Sequence, residues 1–80
     1  MSAELSFIPI ESQDVNKEVN QVLDLVQESG LDFQVGIIST SVTGEKMRIL
    51  KLIVDITDKM DAVCGFRFDV KLSNVCGCDL

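Results

Sequence analysis

Between Ile38 and Gly44 the chain reads Ile-Ser-Thr-Ser-Val-Thr-Gly, which places four hydroxyls in the five positions 39–43. A hydroxyl on a rigid strand donates or accepts a hydrogen bond without bringing charge, and small polar ligands are often held that way. A Ser/Thr-rich strand on a solvated sheet face is the plain alternative. The other reactive types are Cys64, Cys76 and Cys78, and there is no His. Losing His removes the commonest general base and the commonest metal ligand. No nucleophile–base pair stands out, a Ser–Lys pairing being the one arrangement left, so the residues point away from an enzyme and to no catalytic group. Cys76-Gly77-Cys78-Asp79 invites a metal reading with Cys64 as a third thiolate. Structural zinc takes four ligands, usually from C-x-x-C spacing, so this C-x-C set is a poor match and no metal site is assigned. A plain turn suits the segment best, ahead of a redox-sensitive thiol pair.

The bulk numbers set the frame for that chemistry. Eighty residues make a single domain, 1–80. So short a chain buries only about 60–65% of its unfolded surface, and 46% hydrophobic composition is ample for so small a body. Oligomerisation is the expected supplement. Thirteen acids against seven bases give a net charge of −6. That balance excludes nucleic acid, which needs clustered Lys and Arg, and an anionic membrane surface. Met1-Ser2-Ala3-Glu4 has no basic leader, and no apolar run is long enough to span a bilayer. With an odd number of cysteines, a cytoplasmic protein is expected.

Alternation and helical periodicity locate the elements. Leu5 and Phe7 oppose Glu4, Ser6 and Ile8, as in a strand with one core face that becomes irregular at Pro9. Ser12 and Asp14 are candidate N-caps of a helix whose Val15, Val19, Val22, Leu23 and Val26 share a stripe. Gly30 suits the left-handed position that ends it. From Leu31 to Gly44 two antiparallel strands are expected, joined by a tight turn near Gly36 to Ser39, with Leu31, Phe33, Val35 and Ile37 on one face. A second helix opens at Glu45 and runs to about Met60. It gathers Arg48, Lys51, Asp55, Asp58 and Lys59 on a polar strip beside an apolar arc wider than one sheet face buries. Gly65 to Ser73 alternates again, Phe66, Phe68, Val70 and Leu72 inward.

The order β-α-β-β-α-β with right-handed crossovers gives an α+β, ferredoxin-like sandwich: a four-stranded antiparallel sheet with both helices on one face. The first and third strands are then central neighbours, so Ser6 should lie beside the hydroxyl run. The open face should carry Glu4, Ser6, Ile8, Gln34, Ser39, Ser41, Thr43, Arg67, Asp69 and Lys71. With no Trp or Tyr and all four Phe read as inward, RNA binding through open-face aromatics is excluded.

Ala3-Glu4-Leu5-Ser6-Phe7-Ile8-Pro9-Ile10 and Ser39-Thr40-Ser41-Val42-Thr43-Gly44, on this frame, resemble the thiamine-binding YkoF-like family over nearly the whole chain. The matching steps are Ile8-Pro9-Ile10 at the end of the first strand, and Ser39-Thr40, Val42 and Gly44 in the third. Cys76-Gly77-Cys78-Asp79 is similar to a Cys-Pro-Gly-Asp-like closing turn of the tandem-repeat members. Thr43 stands where many single-domain relatives have Glu, Lys71 where they have Arg, and Gly77-Cys78 replaces the Pro-Gly step. The resemblance implies a domain that pairs through sheet faces or edges, as a homodimer or homotetramer. It also implies a non-catalytic carrier, salvage or sensing protein for thiamine or its hydroxymethylpyrimidine part, with no other cofactor. Ser6, Ile8, Ser39 and Thr40, and more weakly Cys76 and Asp79, are the positions it places at the ligand. Two alternatives stay open: an oligomeric interaction module without a ligand, and a thiol or metal sensor.

Overall fold

In the computed structural model, residues 1–75 are described. The sheet is built from β1 (Ser2–Glu11), β2 (Asp32–Val35), β3 (Thr40–Thr43) and β4 (Gly65–Ser73), in the antiparallel order β2-β3-β1-β4. Helices α1 (Val15–Glu28) and α2 (Lys46–Asp61) connect them and pack on one face. This is the ferredoxin-like sandwich that alternation alone led us to expect. The core between the layers holds Ala3, Leu5, Val22, Val26, Leu31, Val42, Ile49, Leu52, Ile56 and Met60.

Local chemistry sets the element ends. The Asp14 carboxylate caps α1 by accepting from the Lys17 amide at 3.1 Å. Gly30 takes φ +73°, where a side chain would be strained, and turns the chain into β2. Lys51 pairs with Asp55 at 2.8 Å on the wet strip of α2. The rest of that helix shows the expected surplus of apolar surface: Ile49, Leu52, Ile56 and Met60 are buried while Met47 and Val54 are exposed.

The strands differ greatly in length, and that difference shapes the molecule. β1 pairs with β4 from Ser2 to Glu11, with an irregularity between Pro9 and Glu11, but with β3 only from Ser2 to Leu5. The Gly44 amide donates to the Met1 carbonyl at 3.0 Å, which fixes the phase of the β1–β3 ladder. Hydrogen-bonded pairs alternate in an antiparallel ladder. Met1, Ala3, Leu5, Phe7 and Pro9 therefore aim their backbone groups toward the β3 side. At Pro9 that side carries no strand, so the missing N–H costs the ladder nothing.

Beyond β2 and β3 the chain turns at Gly36–Ser39, where the Gly36 amide donates to the Ser39 carbonyl at 2.9 Å. Ile37 and Ile38 form the tip and are exposed. A Cβ at Gly36 would stand 2.8 Å from that same carbonyl oxygen, which is backbone and cannot swing aside. Gly36→Ala is therefore expected to lower stability by about 1–3 kcal/mol through forced displacement of the turn, read as a fall in the urea midpoint with an unchanged m-value.

Candidate functional site

Because β1 runs on past the end of β3, the sheet has a notch between residues 6–9 of β1 and the Gly36–Ser39 turn. Behind it lies a cavity of about 260 Å³, lined by Leu5 and Phe7 of β1, by Val19, Val22, Leu23 and Val26 of α1, and by the chain from Val35 to Thr40. The lining is mainly apolar. Its polar exceptions are Thr40, whose side chain shares the helix-side face, and Ser39 with the exposed backbone. The ladder phase aims the Phe7 N–H and C=O, a donor and an acceptor side by side, at the side where β3 provides no partner. The Phe7 ring is held by Phe66 (centroids 5.0 Å apart) and by Phe68 edge-on at 6.0 Å, so this wall is rigid.

A second cavity of about 230 Å³ lies on the open face, lined by Glu4, Ser6, Ile38, Ser39, Asp69 and Lys71. Here the Ser41 hydroxyl donates to the Glu4 carboxylate at 3.4 Å, and Arg67 pairs with Asp69 at 3.1 Å. Ile38 and Ser39 line both cavities and form the divide between them.

The structure thus separates residues that the sequence reading grouped. Ser6 and Ser39 do meet in one cavity on the open face, as expected of neighbouring central strands. Ser6 itself lies past the last β1–β3 pair and opposes Asp69 of β4. Ile8 shares that face, half-exposed opposite Arg67, but lines neither cavity. Thr40 is paired with Leu5 and therefore belongs to the helix-side face, where it lines the notch cavity. Cys76 and Asp79 lie outside the described residues. Sequence reasoning missed the Phe7 backbone, whose availability depends on where β3 starts, and Phe33, which stays 44% exposed because no helix covers β2.

The family model described as Thiamine-binding protein matches residues 3–70. The chain belongs to the thiamine-binding protein family. No curated protein matches the sequence. Among solved structures it is similar to a hypothetical protein from Methanocaldococcus jannaschii, with TM-score 0.80 and 20% identity over 95% of this chain and 80% of that one. It is similar also to a putative thiamine biosynthesis/salvage protein from Thermotoga maritima, with TM-score 0.73 and 14% identity over 90% of this chain and 82% of that one. A domain of unknown function, DUF77, from Bacillus cereus gives TM-score 0.72 and 22% identity over 90% and 74%. At these identities the likeness establishes the ferredoxin-like fold.

Of the residues of the metal alternative, Cys76, Cys78 and Asp79 lie outside the described residues. Among the described residues no three metal-ligating side chains converge, and no helix is long and apolar enough to cross a membrane. Burial, and then the neighbouring Glu18 carboxylate, push the Cys64 thiol up, the opposite of what a reactive thiol sensor requires. The folded state thus favours the neutral thiol. That contribution is complete below the ordinary value of 9.0 and is lost as the pH rises through the folded value. Cys64→Ala is expected to flatten the alkaline limb of the stability–pH curve. Identical alkaline slopes in the two proteins would contradict the assignment.

Proposed function

We propose that this member of the thiamine-binding protein family is a non-catalytic binding protein for thiamine or its hydroxymethylpyrimidine moiety, with the pyrimidine in the notch behind Phe7. The observation that carries the reading is the free Phe7 N–H and C=O on the wall of a small apolar cavity. An aminopyrimidine edge presents an exocyclic N–H beside a ring nitrogen, the complement of an adjacent carbonyl and amide. Thr40 supplies a hydroxyl that serves as donor or acceptor as the ligand requires, and Ser39 offers its own on the open-face side of the divide. At about 260 Å³ the notch falls just below the range of about 300–1,000 Å³ of ordinary ligand cavities, and it suits one ring rather than two. The cationic thiazolium would pass Ile38 and Ser39 toward the open face, where it would take the place of Arg67 beside Asp69, with Glu4 opposite and Lys71 at the edge, and the net charge of −6 favours it at longer range.

Calorimetry with thiamine and with hydroxymethylpyrimidine tests the reading, and no heat from either at millimolar ligand sinks it. Thr40→Val is expected to weaken binding of both ligands by about 1–3 kcal/mol through loss of a buried hydroxyl. Asp69→Asn is expected to weaken thiamine and leave hydroxymethylpyrimidine unchanged.

The reading includes self-association, as a homodimer or homotetramer in the cytoplasm. Val35, Ile37 and Ile38 are exposed along the rim of the notch, and Met47 and Val54 project from α2. Ile37 stands fully clear of the chain at the turn tip, more apolar surface than a lone monomer ordinarily shows to water. Sedimentation is expected to find a dimer or larger species, and Ile37→Lys to shift it toward monomer. A monomeric wild-type protein at micromolar concentration contradicts this part.

A further inference from the structure

The other flank of α1 carries a buried carboxylate that the notch does not use. Glu18 is only 6% exposed, and its Oε2 has no hydrogen-bond partner. One turn further along, Gln21 Oε1 is buried and equally unpartnered. Both side chains line a cavity of about 660 Å³, together with Glu11, Gln13, Asp14, Lys17 and Val63. The Cys64 thiol is the neighbour that meets this carboxylate, but Oε2 is left without a donor, and native proteins ordinarily meet a buried polar atom with a cation or a hydrogen-bond donor.

The unpartnered groups define what is missing. A carboxylate oxygen and an amide oxygen only accept, so the complementary group must donate at least twice. Residues i and i+3 on a helix stand about 5–6 Å apart at Cβ, close enough for one ammonium to bridge both side chains. The rim agrees in sign: besides the buried Glu18, Glu11 and Asp14 outnumber the single cation, Lys17. No three metal-ligating side chains converge among the described residues, which favours an organic cation over a metal ion.

We propose that this cavity is a second binding site, independent of the notch, for a small organic molecule bearing a primary ammonium, with Glu18 and Gln21 as the anchor. A short diamine fits its charge, one ammonium on the anchor and the other against the rim carboxylates, and it occupies only part of the volume. The site requires no step of chemistry and no contact with the thiamine-binding residues.

Cys64 reports on the site, because the charge of Glu18 is one of the causes holding its thiol up. In full-length Cys76→Ser/Cys78→Ser protein, Cys64 is the sole thiol. Its alkylation by iodoacetamide is followed with and without millimolar 1,4-diaminobutane, with sodium chloride matching the ionic strength. An ammonium on Glu18 offsets that charge, frees more thiolate and speeds alkylation, by about threefold for half a pKa unit. In Glu18→Gln the rate is already raised, and the diamine leaves it unchanged. Gln21→Met, which keeps the length and removes the amide oxygen, is expected to reduce the diamine's effect, read as the ratio of rates with and without diamine in that variant. An unchanged wild-type rate, an equal gain from salt alone, or a gain that survives in Glu18→Gln or stays full in Gln21→Met would overturn the proposal.

Discussion

The central strand is ten residues long and one of its two neighbours is four, and the rest of the structure follows from that mismatch. On the β4 side the ladder of β1 runs to its end at Glu11, with one irregularity after Pro9. On the β3 side it stops at Leu5. A sheet interior normally leaves no backbone group unpaired, since each lost pairing in a buried place costs about 1–3 kcal/mol. Here the chain tolerates the gap in two ways. Pro9 removes one donor outright, and Phe7 faces a cavity that solvent or a ligand can enter. A longer β3 would satisfy Phe7, close the notch and remove the cavity together.

The same geometry explains which parts were legible in the sequence. Element order and type could be read because each segment has a single clear period, and hydrophobic alternation on β1 and β4 told which side chains face the core. The placement of Thr40 was the harder matter. Ser39 and Thr40 are neighbours in sequence, and so they look like neighbours at a site. Strand geometry puts consecutive side chains on opposite faces. The signal was present: Val42 is the apolar residue of β3, and Thr40 shares its parity. Reading parity before residue chemistry assigns Thr40 to the helix side and Ser39 to the open side.

Glu18 shows the converse limit. Apolar type pointed to Val15, Val19, Val22, Leu23 and Val26 as the buried stripe of α1, but the fully buried residues are Glu18, Val22 and Val26, spaced by four. Val15 is left 51% exposed. The helix is rotated slightly from the position that its valines alone would choose. A charged residue inside the stripe breaks the rule by which the stripe is drawn, so periodicity skips over it. Such a residue becomes visible only when the neighbouring layer is in place. A buried carboxylate in a small core is a local inconsistency of the kind that marks functional positions.

Stability and binding are linked in so small a body. Ten hydrophobic residues among those described form the buried core, while Val35, Ile37, Ile38, Met47 and Val54 remain in contact with water. Whatever covers the rim of the notch, ligand or second subunit, removes the same apolar surface and stabilises the same folded state by mass action. A ligand seated behind Phe7 would also tie β1 to the Gly36–Ser39 turn, replacing the ladder contacts that a short β3 omits. The divide formed by Ile38 and Ser39 then belongs to both events, because it borders the notch on one side and the open face on the other. Under the proposed reading, ligand and subunit both contact this corner, and each stabilises the folded state that the other binds.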